Sequence, residues 1–101
     1  MTPGDLAGLA DDLAATVLAV PGVVRLNGGA LGEIGTYLPG RRVAGIRLAD
    51  PDRTGPTEVH VVLRADAPLR EVAEAVHLAA AARLTAAGAP ADVRVHVDDL
   101  A

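Results

Sequence analysis

Two stretches of the chain repeat apolar residues at helical spacing. The first predicts an amphipathic helix from about Pro3 to Ala19, with Thr2 as its N-cap. Its apolar stripe consists of Leu6, Leu9, Leu13, Val17 and Val20. The second predicts a helix that Asp66 caps, with Pro68 in its first turn, and that Gly88 ends. Its buried stripe is expected to be Leu69, Val72, Ala73, Val76, Ala80 and Leu84.

Other stretches alternate apolar and polar residues, which is typical of β-strands with one buried face. The predicted strands run from Val23 to Asn27, Arg42 to Ala49, Thr57 to Ala65 and Ala91 to Asp98, with a short piece at Gly35 to Leu38. The loop from Asp50 to Pro56 joins two of them as a hairpin connection. In the second strand, Ala44, Ile46 and Leu48 are predicted on one face and Val43, Gly45 and Arg47 on the other.

These elements predict an α+β fold of order α-β-β-β-α-β, forming a single domain over residues 1–101. Two helices packed on one face of a three- or four-stranded mixed sheet would bury both helical stripes and the valine rows. The opposite sheet face is then open to solvent or to a partner. It is predicted to carry Arg47, His60, Arg64, Arg94 and His96.

Composition and charge narrow the functional classes. Half of the residues are hydrophobic, yet the chain has no Phe, Trp or Cys, so its core must be built from Val, Leu, Ile and Ala. The net charge of −4 argues against nucleic-acid binding by phosphate neutralisation. No segment approaches the roughly 18 apolar residues of a membrane span. We therefore expect a cytoplasmic protein without direct membrane insertion.

No catalytic constellation is visible. There is no Ser or Cys nucleophile, and the carboxylate pairs are adjacent residues, whose side chains point in different directions. His60 and His96 would meet if their strands are neighbours, but Arg64 and Arg94 nearby would oppose a divalent cation. We expect neither an enzyme nor a metal or cofactor site. The alternatives for the histidine face are an ordinary exposed surface and an interaction face whose charge rises as the histidines protonate.

The stretch from Thr36 to Val43 holds the only aromatic residue and the only adjacent basic pair of the chain. Leu38-Pro39-Gly40-Arg41 fits a type II turn, with Pro at the second position and Gly at the third. The turn alone accounts for the Pro-Gly pair. An alternative is a partner-binding patch of Tyr37, Arg41 and Arg42, because Tyr and Arg are enriched at interface hot spots.

A second alternative concerns the loop Gly28–Gly32. Gly29-Ala30-Leu31-Gly32 matches the G-x-x-G of a KH nucleic-acid loop. A KH loop joins two helices, however, whereas this one follows a predicted strand and lacks a basic stripe. Despite these differences, the G-x-x-G match makes a KH-like RNA-binding module the alternative function.

Three passages in the same order resemble the alkaline-shock-protein family of bacterial envelope stress response proteins. They are Val20-Pro21-Gly22-Val23-Val24-Arg25-Leu26-Asn27-Gly28-Gly29, the strand Glu58-Val59-His60-Val61-Val62-Leu63 with the helix start Leu69-Arg70-Glu71-Val72-Ala73, and the end Val93-Arg94-Val95-His96-Val97-Asp98-Asp99-Leu100. Actinobacterial members are similar also from Thr36 to Val43. The resemblance covers nearly the whole chain, although each motif alone is unspecific.

The resemblance implies a small, non-enzymatic, cytoplasmic general stress protein of α+β fold. Such a protein would self-associate as a homo-oligomer and would be held at the inner face of the membrane by a small membrane-anchored partner protein. The chain lacks the charged terminal extensions of longer members. That difference argues against assembly into large arrays. No catalytic residues are carried over from the family.

Overall fold

The computed structural model describes residues 3–49 and 55–101, and in the first range it describes the side chains from residue 7 onward. Thr2 and most of the predicted hairpin loop, from Asp50 to Thr54, lie outside these ranges. The elements in chain order are α1 (Pro3–Leu18), β1 (Val23–Leu26), β2 (Gly35–Leu38), β3 (Arg41–Ala44), β4 (Ile46–Arg47), β5 (Thr57–Leu63), α2 (Leu69–Ala86) and β6 (Val93–Leu100). The predicted α+β fold and the order of its elements are confirmed.

Strand β5 is the centre of the main sheet. One of its edges pairs antiparallel with β1 and with β4, which lie end to end along it. Its other edge pairs parallel with β6, so the sheet is mixed. The β2–β3 hairpin forms a separate two-stranded ladder that leads into β4. This arrangement places β6 at one edge of the sheet.

Both helices pack on one face of the sheet, and the core between them is aliphatic. Leu13 and Val17 of α1, and Val76 and Leu84 of α2, have at most 1% of their surface exposed. The inward residues of β5 join them, and these are Thr57, Val59, Val61 and Leu63. The helical spacing and the strand alternation therefore identified the main core positions.

Helix α1 is followed by the turn that the Pro-Gly pair predicts. The carbonyl of Val20 accepts a hydrogen bond from the backbone N–H of Val23 at 3.1 Å, and Gly22 has a φ of 97°. This conformation strongly favours glycine at the third position of the turn. A side chain there would also collide with Val72 of α2, because a Cβ on Gly22 would lie 2.8 Å from Val72 Cγ2.

The predicted start of α2 is wrong and its predicted end is correct. The N-cap residue is Pro68, which makes no side-chain capping bond, and Asp66 instead pairs with Arg64. At the other end, Gly88 has a φ of 73° and its N–H donates to the carbonyl of Thr85. Together with the bond from the N–H of Ala89 to the carbonyl of Leu84, this forms a Schellman motif.

The predicted strand from Arg42 to Ala49 is interrupted. Gly45 has a φ of 79° and separates β3 from β4. As a result Val43 and Ile46, predicted on opposite faces, are both buried in the core. The faces were predicted incorrectly because alternation assumes an unbroken pleat, and one residue of irregular backbone reverses it.

Strands β5 and β6 also depart from simple alternation. Val62 shares the parity of His60 but is only 1% exposed. Opposite it, the register with β6 shifts, so that Val61 pairs with Val97 and Val62 with Asp99. Asp98 is therefore the extra residue of a bulge, and β6 continues beyond the predicted end at Asp98 to Leu100.

Candidate interaction surface

The open face of the sheet carries two stacked histidine rings. His60 of β5 and His96 of β6 are direct partners in the parallel ladder, so their side chains emerge side by side. Their ring centroids are 4.1 Å apart and the ring planes differ by 4°. The condition for the two histidines to meet, that their strands are neighbours, is therefore fulfilled.

Each histidine contacts a carboxylate on the neighbouring strand. His60 Nδ1 lies 2.8 Å from Asp98 Oδ2, and His96 Nε2 lies 3.1 Å from Glu58 Oε1. Asn27, which directly follows β1, donates a second hydrogen bond to Asp98 Oδ2 at 2.8 Å. The carboxylate contacts hold the ring nitrogens, and the stacking holds the ring faces, so the orientation of both rings is defined. We call these residues, Asn27, Glu58, His60, His96 and Asp98, the histidine cluster.

Arg47 of β4 borders the histidine cluster. Its Nη1 lies 3.6 Å from Glu58 Oε2, and its Nη2 donates to the carbonyl of Glu33 at 3.2 Å. The polar side chains thus cross four strands of the sheet, from β1 and β4 through β5 to β6. Among the residues with described side chains, every buried side-chain polar atom has a hydrogen-bond partner. No buried polar side-chain atom of these residues therefore lacks a partner that a ligand would have to supply.

The environment of Asp98 shifts its ionisation. Partial burial, the largest single effect, raises the pKa of Asp98, but the hydrogen bonds from Asn27 and His60 and the charges of His60 and His96 together outweigh it. The pKa therefore lies below the ordinary value of 3.8. At neutral pH Asp98 is a carboxylate held in a fixed position.

Glu58, His60 and His96 have donor atoms within 4.8 Å of one another, which is close enough to test for a metal site. A metal ion binds a histidine in the plane of its ring, and two parallel stacked rings do not share such a position. Each histidine also has a carboxylate contact already, and Arg47 supplies a competing cation beside Glu58. Holding one ion would require both rings to turn out of the stack.

The other two predicted residues of the sheet face lie at the margin of the histidine cluster. Arg64 follows β5 and binds Asp66 through two hydrogen bonds, which lower the pKa of that carboxyl. Arg94 lies in β6 opposite Glu58 and is exposed. The five predicted residues therefore form a central group of Arg47, His60 and His96, with Arg64 and Arg94 beyond it.

The proposed Tyr37–Arg41–Arg42 patch is divided between two sides of the β2–β3 hairpin. The predicted turn is present, with a φ of 76° at Gly40. Arg41 reaches α1 and forms two hydrogen bonds with Asp11, at 2.9 and 2.7 Å. Tyr37 and Arg42 are opposite each other in the ladder and so share the other side. Only these two residues can belong to one contact surface.

The Gly28–Gly32 loop lies beside Tyr37 and Arg42 and connects β1 to β2. A Cβ on Gly32 would lie 2.7 Å from Nη1 of Arg42, so the guanidinium rests on the loop. Tyr37 Oη donates to the carbonyl of Gly32 at 3.4 Å. The Glu33 carboxylate accepts a hydrogen bond from the N–H of Leu31 at 2.9 Å. This carboxylate lies against the loop, since a Cβ on Gly29 would be 2.6 Å from Glu33 Cδ.

A shallow open groove of about 470 Å³ lies between the Val20–Gly22 turn and the start of α2. Its walls are mainly apolar, with Arg64, Asp66 and Glu71 at its rim. Arg64 and Asp66 are paired with each other. The groove brings together no nucleophile and base.

Sequence reasoning missed three members of the histidine cluster, namely Asn27, Glu58 and Asp98. Glu58 shares the strand parity of His60, and this signal could have identified it. Asp98 has the parity of His96, but alternation along β6 alone does not show that its side chain reaches His60 on the neighbouring strand. Asn27 is distant in sequence, so only the pairing of β1 with β5 brings it to Asp98.

The comparisons with known proteins give no match: no family model, no curated protein and no solved structure corresponds to the chain. Within the described ranges, no helix has the length and apolar character needed to cross a lipid bilayer.

Proposed function

We propose that this protein is a non-enzymatic member of the alkaline-shock-protein type that acts in the cell-envelope stress response. It would do so by self-association and by binding a small membrane-anchored partner protein from the cytoplasmic side. The observation that carries the proposal is the outer edge of β6, an eight-residue strand that pairs only with β5 among the residues the structure describes. An unpaired strand edge is a template for another chain.

Two further observations support an interaction role. The histidine cluster and Arg47 form a polar face beside that edge, whose hydrogen bonds hold the side chains in defined positions. On the hairpin, Tyr37 is 68% exposed and stands beside Arg42. We assign the partner contact to Tyr37 and Arg42, because an exposed aromatic residue next to a guanidinium is typical of interface hot spots. Arg41 is excluded from this contact surface by its pairing with Asp11.

The partner contact is tested by replacing both Tyr37 and Arg42 with Ala. The tagged wild-type protein should recover a membrane protein from detergent-solubilised membranes of its host, and the double variant should recover at least roughly tenfold less, equivalent to about 1.4 kcal/mol. Arg70→Ala is the matched control, since Arg70 is an exposed arginine on α2. Equal recovery by all three proteins would refute the assignment of the contact.

Self-association is tested on the full chain by sedimentation velocity over a wide concentration range. We expect the sedimentation coefficient to rise with concentration towards that of a dimer or larger oligomer. A mass that stays monomeric throughout would contradict this part of the proposed function.

Deletion of the gene should lower survival of envelope stress but not growth in unstressed medium.

The alternative is an RNA-binding module that uses the Gly28–Gly32 loop. The negative charge of Glu33 beside this loop disfavours phosphate binding. The loop also lies between two strands, whereas a KH loop joins two helices. Titration with single-stranded RNA at low ionic strength separates the two functions, because phosphate binding would be strongest there. We expect no binding, and a salt-sensitive affinity would favour the alternative.

A further inference from the structure

The hydrogen bonds of β5 show which backbone groups of β6 point outward. The N–H of Thr57 donates to the carbonyl of Asp92, just before β6, at 2.9 Å. The N–H of His60 instead donates to Gly45, and its carbonyl accepts from Asn27, both at 2.8 Å. Odd-numbered residues of β5 therefore direct their backbone N–H and C=O groups towards β6. Even-numbered residues direct theirs towards β1 and β4.

The direction of the β6 groups follows from the geometry of a parallel ladder. Each residue of β5 that faces β6 bonds to the two residues flanking its partner. Arg94 and His96 therefore direct their N–H and C=O groups towards β5. Val93, Val95 and Val97 direct theirs towards the outer edge, where no strand pairs within residues 3–49 and 55–101.

We propose that this edge pairs with β6 of a second copy of the same chain, antiparallel and two-fold symmetric about His96. Val95 of each copy then forms a hydrogen-bonded pair with Val97 of the other. His96 stands opposite its own symmetry mate, and Arg94 stands opposite Asp98 at both ends. The proposal rests on the self-association in the proposed function and specifies the surface, the partner and the register.

Charge complementarity selects this register. Because the odd-numbered residues of β6 carry the outward backbone groups, they must pair with odd-numbered residues of the second copy. The nearest alternative registers therefore shift one strand along the other by two residues. A register centred on Val95 would place Arg94 opposite His96 and Asp92 opposite Asp98, two acidic residues. A register centred on Val97 would place Arg94 opposite the apolar Leu100. Of these three registers, only the one centred on His96 places each Arg94 opposite a carboxylate, and like charges directly opposite each other destabilise a sheet.

The side chains at the edge are suited to this pairing. Val97 is 41% exposed although it lies on the helix side of the sheet, and in the dimer it would contact Val95 of the second copy. Asp98 is already held by Asn27 and His60, so little side-chain entropy is lost when Arg94 binds it. β6 contains no Pro, so each of its residues keeps a backbone N–H for pairing. The bulge at Asp98 limits the paired segment to the centre of β6.

Single-cysteine variants test the register directly, because the chain has no cysteine of its own. Residues that face each other in a non-hydrogen-bonded antiparallel pair have Cα atoms about 4.5 Å apart, within the span of a disulfide. Under mild oxidation His96→Cys should form a covalent dimer, whereas Val95→Cys and Val97→Cys alone should not. A mixture of Val95→Cys and Val97→Cys should form the mixed dimer.

Charge exchange provides a second test that keeps the histidines. Arg94→Glu should weaken dimerisation at least roughly tenfold in sedimentation velocity, and so should Asp98→Arg, because each places like charges opposite each other. Mixing these two variants should restore a heterodimer. Arg70→Glu makes the same change of charge on α2 and should have no effect. Circular dichroism of each variant confirms that it is folded.

The outcomes separate this inference from the proposed function. If the wild type associates but His96→Cys does not cross-link and Arg94→Glu has no effect, the β6 pairing is refuted while self-association stands. Cross-linking of Val95→Cys or Val97→Cys alone would refute the register. A wild type that is monomeric at every concentration would refute both the pairing and the self-association.

Discussion

Adjacent residues of a strand can have unrelated roles, and Arg41 and Arg42 show this clearly. The sequence presents them as a basic pair, but a strand directs consecutive side chains to opposite faces. Arg41 binds Asp11 on the helix side, where its hydrogen bonds and charge lower the pKa of that carboxyl. Arg42 lies over the glycine-rich loop with Tyr37. A test of partner binding should therefore change Arg42 and leave Arg41 intact.

At the residue scale, we predict a pH-dependent role for Asp98. Its pKa is lowered in the folded protein, so its contribution to stability is present above the ordinary value of 3.8 and is lost as the pH falls through the lowered pKa. Asp98→Asn keeps the shape but removes the charge. It should lower the free energy of unfolding by about 1 kcal/mol or less at neutral pH, because Asp98 lies at the surface, where solvent screens its charge.

Urea unfolding of both proteins, at neutral pH and well below pH 3.8, measures this difference. The deficit of Asp98→Asn should disappear at the acidic pH, where the wild-type carboxyl is protonated. Asp92→Asn is the control, because Asp92 is an exposed carboxylate just before β6. A deficit of Asp98→Asn that is the same at both pH values would contradict the role of its charge.

At the scale of elements, Gly45 determines how the β2–β3 hairpin joins the main sheet. Its positive φ ends β3 and starts β4, which lets Val43 and Ile46 both enter the core. The backbone at Gly45 is also in close contact with its neighbours. A Cβ there would lie 2.8 Å from Leu26 Cβ and 3.0 Å from the backbone nitrogen of Asn27.

Gly45→Ala should therefore destabilise the protein through both strain and collision. The left-handed conformation costs an alanine about 1–2 kcal/mol, and overpacking adds about 1–3 kcal/mol. Gly40→Ala is the matched control: its φ is 76°, but no atom lies within 4 Å of a Cβ there. Denaturant unfolding should show a clearly larger loss for Gly45→Ala, and equal losses would contradict the close packing at Gly45.

At the scale of the whole molecule, stability depends on close packing of small aliphatic side chains. The chain has no Phe or Trp, and its largest fully buried side chains are leucines and isoleucine, led by Leu13, Ile46, Leu63 and Leu84. Each of these large side chains therefore fills a sizeable part of a small core. Truncating one leaves a cavity that its small neighbours fill poorly.

Leu84→Ala should lower the free energy of unfolding by about 2–5 kcal/mol. Leu84 is 1% exposed near the end of α2, whereas Leu78 on the same helix is 60% exposed. Leu78→Ala should therefore stay within about 0.5 kcal/mol of the wild type. Chemical denaturation of both variants measures the difference, and similar losses would show that α2 is not packed as described.

The sequence by itself determined the two helices, the α+β class, the glycine turns and most core positions. These features depend on local periodicity and on backbone preferences that neighbouring residues specify. It did not determine the start of α2, where Asp66 pairs with Arg64 instead of capping the helix. Only the tertiary structure decided the division at Gly45, the bulge at Asp98 and the joining of Asn27, Asp98 and His60. These features depend on strand pairing between residues far apart in the chain, which local patterns do not encode.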